Sequence, residues 1–308
     1  MKVFQSSNEA KAKLKNPIII LGNFDGVHLA HQKLFELAAK LAKQIRGKTC
    51  VYTFYPHPVK VLSPHAAPLL ISTLKQKIKL FDKLKIKQLV LEPFVASFAS
   101  LSPEDFFEKI LIQRLHAAGV VAGYDFTFGA KRAGNTDLLL RLCEKRGIPC
   151  KILEAQHHQN TLISSSQIRN FIRSGDIPQA EELLGRPFEI IGKVVKGEGI
   201  GKTLGFPTAN ILAENELIPG NGVYATYTKI GLRKYPSLTN IGFRPTFGGK
   251  KLSIESHLLK FKRSIYGKDI RIQFLKKIRD EITFSSIQEL VTQIQKDTQS
   301  ARKIFRHK

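Results

Sequence analysis

The chain has 308 residues, enough for two domains of ordinary size, and 43% of them are apolar, enough to fill real cores. No run approaches the ~18 apolar residues of a membrane span, and "MKVFQSSNEAKAKLK" lacks the apolar centre of a signal peptide; three cysteines without C-x-x-C spacing suggest reduced thiols rather than a disulfide framework or a zinc site. The net charge of +24 attracts polyanions in general, but it is spread over both halves and no recognition motif accompanies it. The expectation is a cytoplasmic protein with neither a specific nucleic-acid partner nor a membrane partner; its oligomeric state is not legible.

In chain order, "PIIIL" from Pro17 reads as a strand and "HQKLFELAAKLA" as the helix after it. "TCVYTF" precedes a helix through "TLKQKIKLFDKL", and "QLVLE" precedes one through "PEDFFEKILIQRL". "GVVAG", a helix through "NTDLLLRLCEKRG" and "PCKILEA" complete the alternation. Short β-branched runs alternating with helices predict a parallel sheet with crossover helices, a doubly wound α/β domain. Ligands of such sheets bind beyond the carboxyl ends of the strands. The Lys-rich "TLKQKIKLFDKLKIK" reads as the solvated face of a helix.

"GRPF" at 185–188 marks a joint, giving domains 1–185 and 186–308. Beyond it, β-branched segments separated by Gly/Pro turns end in one helical pattern, "SSIQELVTQIQKDTQSARKIF". That texture predicts an antiparallel barrel or sandwich closed by a C-terminal helix, expected to fold from its own residues.

Two stretches carry chemistry. "LGNFDGVHLAH" from Leu21 places His28 and His31 where a strand gives way to a helix. A helix N-terminus offers unpaired N–H groups and a positive dipole end, which together favour phosphate. Gly22 and Gly26 let backbone approach a ligand closely, around Asn23, Phe24 and Asp25. The bland alternative is a turn with two incidental histidines. In "VVKGEGIGKTLGFPTANI", the tripeptide "GKT" is not a P-loop, because Lys196 stands where the motif needs glycine and Pro207 interrupts any following helix. What remains is a glycine loop (Gly197, Gly199, Gly201, Gly205) leading to Thr208 and Asn210, two neutral oxygens of the kind Mg²⁺ accepts.

The first stretch resembles the G-x-F-D-G-x-H-x-G-H signature of nucleotidyltransferases, and "SSSQIR" at 164–169 is similar to their S-S-T-x-I-R motif. "GFPTAN" resembles the riboflavin kinase signature. "GVYA" (222–225), "NIGFRPTF" (240–247), "IESHLL" (254–259), "IYGK" (265–268) and "IRDEITF" (278–284) then follow in that family's order. With "TFYPHPVKVLSP" (53–64), "GYDFTFGAKRAGN" (123–135) and "LLGRPF" (183–188), nearly the whole chain resembles the prokaryotic bifunctional riboflavin kinase/FAD synthetase family.

The resemblance implies a nucleotidyltransferase domain of doubly wound α/β type, followed by an antiparallel β-barrel kinase domain with a C-terminal helix. It implies ATP, riboflavin and FMN as substrates, with Mg²⁺. Glu255 would be the base of the kinase step. His28, His31 and Arg169 would stabilise charge in adenylyl transfer, with Ser164, Ser165 and Ser166 also at the phosphates. His57, Asp125 and Phe128 would contact flavin or nucleotide. The sequence departs from the family at Ala30, usually glycine, and at Lys260 and Ser264, often aspartate. Two other readings stay open on the residues alone: a monofunctional riboflavin kinase with a degenerate first domain, and a basic nucleic-acid-binding protein on a nucleotidyltransferase scaffold.

Overall fold

Six strands, all parallel, form one sheet: β1 (Lys2–Phe4), β2 (Pro17–Leu21), β3 (Lys48–Tyr55), β4 (Gln88–Pro93), β5 (Gly119–Gly123) and β6 (Cys150–Leu153). Their order is β1-β4-β3-β2-β5-β6, so the winding reverses between β2 and β5. The helices of this part are α1 (Ser7–Ala10), α2 (Leu29–Gln44), α3 (Pro58–Leu62), α4 (Leu74–Lys83), α5 (Ala96–Ala99), α6 (Pro103–Asp105) and α7 (Thr136–Lys145). A two-residue hairpin, β7 (His157–His158) and β8 (Thr161–Leu162), follows β6.

All five residues of β2 are buried. Ile18 and Ile20 face Leu34, Phe35 and Ala38 of α2 and Phe81 of α4. Ile19 and Leu21 face Phe107, Ile110, Leu111 and Leu139 on the other side. A strand covered on both faces reads as a continuous apolar run, which is why "PIIIL" shows no alternation. The helix expected through "PEDFFEKILIQRL" is wound as a π-helix over 106–114. Its apolar residues recur at spacings of four and five (Phe106, Ile110, Leu115; Phe107, Leu111), which suits the wider turn. Strand β1 went unread in the sequence; it adds a short parallel edge beside β4 and buries Phe4.

The remainder builds α8 (Ser165–Ser174), α9 (Ile177–Leu184), a single turn α10 (Ile200–Thr203), α11 (Ile287–Arg306) and six strands. The strands are β9 (Glu189–Val195), β10 (Ala209–Ala213), β11 (Gly222–Ile230), β12 (Arg233–Thr246), β13 (Gly249–Leu258) and β14 (Asp269–Arg279). They close in the order β10-β13-β12-β11-β14-β9, all pairs antiparallel, with β9 pairing back onto β10. The alternatives of barrel and sandwich resolve to a closed barrel. Helix α11 lays Ala301 against Val223, Ala225, Leu238 and Leu275. The Arg279 guanidinium forks onto buried Asp297 of that helix through N–H bonds of 2.9–3.0 Å.

In this computed structural model, which describes residues 1–197, 200–246 and 249–306, two compact units emerge: 1–69 with 74–163, and 70–73 with 164 onward. Residues 164–185 therefore pack with the barrel. The Gly220 N–H donates to Ile172 of α8 (3.3 Å), and α9 buries Ile177, Ala180, Leu183 and Leu184. Residues 70–73 are also built in. Leu70 donates to the Glu216 carboxylate (3.1 Å), and Asn215 donates to Ile71 (3.4 Å) while accepting from Ile191 of β9 (2.9 Å).

These contacts change the expectation that the barrel folds alone from Arg186. Each buried Ile or Leu of α8 and α9 contributes roughly 1.5–3 kcal/mol. A fragment starting at Ser164 is expected to unfold cooperatively. One starting at Arg186 should melt at clearly lower temperature or aggregate, as followed by circular dichroism; equal melting curves would contradict this packing.

Candidate functional site

Leaving β2, the chain turns through three left-handed residues: Phe24 (φ 52), Gly26 (φ 77) and Val27 (φ 44). For Phe and β-branched Val this conformation costs about 1–3 kcal/mol each, so something must hold it. The Phe24 ring provides part of the hold, packed on His31, Phe35 and Phe81 at centroid distances of 5.2, 5.2 and 5.9 Å. A β-carbon at Gly22 would lie 2.8 Å from that ring, so glycine is required there. The Asn23 carbonyl accepts from Thr53 (3.4 Å) and from the Lys77 ammonium of α4 (3.3 Å).

His28 caps α2, its Nδ1 accepting from the His31 N–H at 3.4 Å. A neutral His28 ring then carries its hydrogen on Nε2, as a donor. The two imidazoles stack at 3.6 Å with 17° between planes. A turn of alternating backbone hand followed by a helix N-terminus is a concave set of N–H groups suited to an anion.

The parallel sheet puts this loop, His57 after β3 and Asp125 after β5 at the same edge. His57 caps α3, with Nδ1 accepting from Val59 (3.3 Å), and Asp125 is exposed. Phe128 is buried among Phe106 and Phe126 as part of the core. Ser164 caps α8 by accepting from Gln167 (3.2 Å), and Arg169 in the second turn donates to Ser166 (3.3 Å); this motif belongs to the second unit.

Lys77 was missed. Only 5% exposed, it does not share the solvated face assigned to its Lys-rich segment. Burial pulls its pKa below the ordinary lysine value, and the buried carboxylate of Asp25 pulls it back up. The available signal was helical spacing: Lys77 falls three residues after Leu74 and four before Phe81, on the apolar face of α4.

The barrel assembles a second candidate site on the outer face of its wall. Strand register sets Asn210 of β10 and Asn240 of β12 on either side of Glu255 of β13. The Thr208 hydroxyl donates to one Glu255 oxygen (3.2 Å) and the Ser253 hydroxyl to the other (3.1 Å). His257 Nδ1 lies 2.9 Å from the Pro207 carbonyl and its ring packs edge-on to Phe206, which holds "FPT" against β13. A β-carbon at Gly197 would collide with the Asn210 amide, and one at Gly201 would lie 2.6 Å from the Phe206 carbonyl. Gly205 follows at φ +82; Gly199, and Phe247 of "NIGFRPTF", lie outside the described residues. Ser253, Asn240 and His257 escaped the sequence reading; the alternation of β13 around Glu255 was the available signal for Ser253 and His257. Residues on the opposite face of these strands, Thr226, Thr228, Ser237, Thr239 and Ser256, are fully buried and bond to one another at 2.8–3.2 Å inside the barrel.

Residues 10–167 match the FAD synthetase family and residues 184–305 the riboflavin kinase family. The chain belongs to the bifunctional riboflavin kinase/FMN adenylyltransferase family. Relatives so named include those of Buchnera aphidicola subsp. Acyrthosiphon pisum, 38% identical over 99% of this chain and 98% of that one, and Bacillus subtilis, 39% identical over 96% and 94%. A crystal structure described as a macrolide-efflux protein from Streptococcus pneumoniae is also similar. Its TM-score is 0.89 at 30% identity, over 97% of this chain and 98% of that one. Among the described residues here, no helix is long and apolar enough to cross a membrane.

Since family members make both FMN and FAD, the glycine cradle can be tested within one chain. Gly197→Ala should lower riboflavin phosphorylation by about tenfold or more, because the added methyl displaces Asn210, and leave FMN adenylylation unchanged. Chromatographic separation of flavins reads both; an unaltered kinase rate would mean that the loop is free to move aside.

Proposed function

We infer that the chain phosphorylates riboflavin with ATP to give FMN, and adenylylates FMN with a second ATP to give FAD and pyrophosphate. The observation that carries this is the match to both families, in order, by a chain that spans its relatives almost end to end. Its partners are these small molecules. The cytoplasm is the compartment we assign, and 1–185 and 186–308 are the proposed functional domains.

In the kinase step the ribityl 5′-hydroxyl attacks the γ-phosphorus and ADP leaves. We assign the acceptance of the hydroxyl proton to Glu255, whose two oxygens are already oriented by Thr208 and Ser253. Thr208 and Asn210 fit a magnesium ion in donor chemistry, hard neutral oxygens beside a carboxylate under close glycine backbone. When bound, the ion would neutralise phosphate charge; Gly197, Gly201 and Gly205 would cover the phosphates.

In the adenylyl step an ionised FMN phosphate oxygen attacks the α-phosphorus and expels pyrophosphate, so no general base is needed. His28, His31 and the backbone from Gly22 to Gly26 are assigned to alignment and charge stabilisation. Arg169 and Ser164–Ser166 are assigned to phosphate contacts, and His57 and Asp125 to substrate contacts. Phe128, buried in the core, is better suited to shaping its loop. Ala30 stands in the first turn of α2 with an ordinary helical backbone, which supports an intact site rather than a degenerate one.

Glu255→Gln should depress FMN formation by ~10²–10⁴-fold, the usual worth of a positioned acid or base, while supplied FMN still becomes FAD. Wild-type FMN production would remove the base assignment. His28→Ala should lower FAD formation by ~10²-fold, as loss of a preorganised donor does, with Ala30→Gly changing it little. A native enzyme that stops at FMN, and an Ala30→Gly variant that proceeds, would reverse the reading of this domain.

A further inference from the structure

Lys77 is a charged side chain buried in the adenylyl half without an assigned task. Its ammonium points at the loop after β2, 3.3 Å from the Asn23 carbonyl and beside the buried Asp25. Those two residues flank Phe24, the first left-handed residue of the turn. Thr53, fully buried on β3, donates to the same carbonyl. The carbonyl is thus fixed from the neighbouring strand and from α4 at once.

We propose that Lys77 is a positioning residue for adenylyl transfer, fixing the Asn23–Asp25 segment so that the strained turn delivers Gly26–His28 to the phosphates. The role rests on the adenylyltransferase reading given above. Removing the ammonium leaves the buried Asp25 carboxylate without that counter-charge and the carbonyl with one donor fewer. A turn that holds Phe24 and Val27 at positive φ then relaxes, and His28 sits at its far end. Preorganisation of this kind acts on the transition state more than on substrate binding, so the loss belongs in kcat. A lysine that merely filled space would leave that balance alone.

The test uses the full-length enzyme. Lys77→Met, which keeps length and apolar stem, is expected to lower kcat for FAD formation from FMN by about 10²-fold. KM for ATP and FMN should stay within about threefold, and riboflavin phosphorylation, measured on the same preparation, should be unchanged. Lys77→Arg, which keeps charge and donors, should recover part of the loss. Hydrogen exchange should show Gly22–Val27 amides losing protection in Lys77→Met while β2 amides keep theirs. An unaltered kcat, a change confined to KM, or unchanged loop protection would each overturn the role. If Lys77→Met does not fold, Thr53→Val carries the test: it removes the other donor at constant volume, and kcat should fall by about threefold to tenfold with KM held; an unaltered kcat overturns the proposal. A native enzyme that makes FMN but no FAD overturns the adenylyl reading and this role together, whereas normal FAD synthesis by the variant overturns the role alone.

Discussion

Strand β2 is hydrogen-bonded along both edges, to β3 and β5, and packed on both faces by helices. Its polarity is wholly used by the sheet until the chain leaves it after Leu21. Because the winding reverses beside this strand, crossovers depart to either side and leave its carboxyl end uncovered. Whatever follows must turn at once and must start the helix that covers Ile18 and Ile20. The left-handed turn, the histidine cap and the stacked imidazoles are all answers to that one requirement. The site is a by-product of how a buried parallel strand ends.

The barrel solves a different problem. Closure leaves no edge, so its wall has two faces and strand alternation sorts residues between them. Ser256 goes inward to the hydroxyl network, while Ser253, Glu255 and His257 go outward. Inward hydroxyls bond to one another, which favours one register of β11, β12 and β13 over a slipped one. A slip by one residue would send Glu255 into the barrel. The interior network thereby holds the exterior cluster around Glu255 in place.

Much of this was legible in the sequence, and the legible part is the local part. "PIIIL" before "GNFDGVH" announced a strand, a turn and a helix cap because each signal lies within a few residues. "GFPTAN" and "IESHLL" pointed by resemblance to Thr208 and Glu255, which the barrel brings together. Lys77 was overlooked among the six lysines of its fifteen-residue segment, although its spacing from Leu74 and Phe81 puts it on the apolar face of α4. Phe128 was read as a ligand contact because it is an aromatic in a Gly-rich loop; its packing on Phe106 and Phe126 is visible only in three dimensions. The packing of α8 and α9 with the barrel lay beyond reach for the same reason, because their apolar faces name no partner.

The tetrapeptide at 70–73 adds a constraint of timing. It lies between the strands and helices of the first unit but finds its partners in Asn215, Glu216 and Leu217. A ribosome delivers Leu70 and Ile71 well over a hundred residues before those partners exist. The first unit can close its sheet during that interval, because domains generally fold as they emerge. Ile71, almost wholly buried at the end, must wait in water until β9 and the segment after β10 arrive. Translation speed through the barrel's coding region therefore sets how long a nascent chain carries an unsatisfied apolar stretch, the point at which a chaperone would find it.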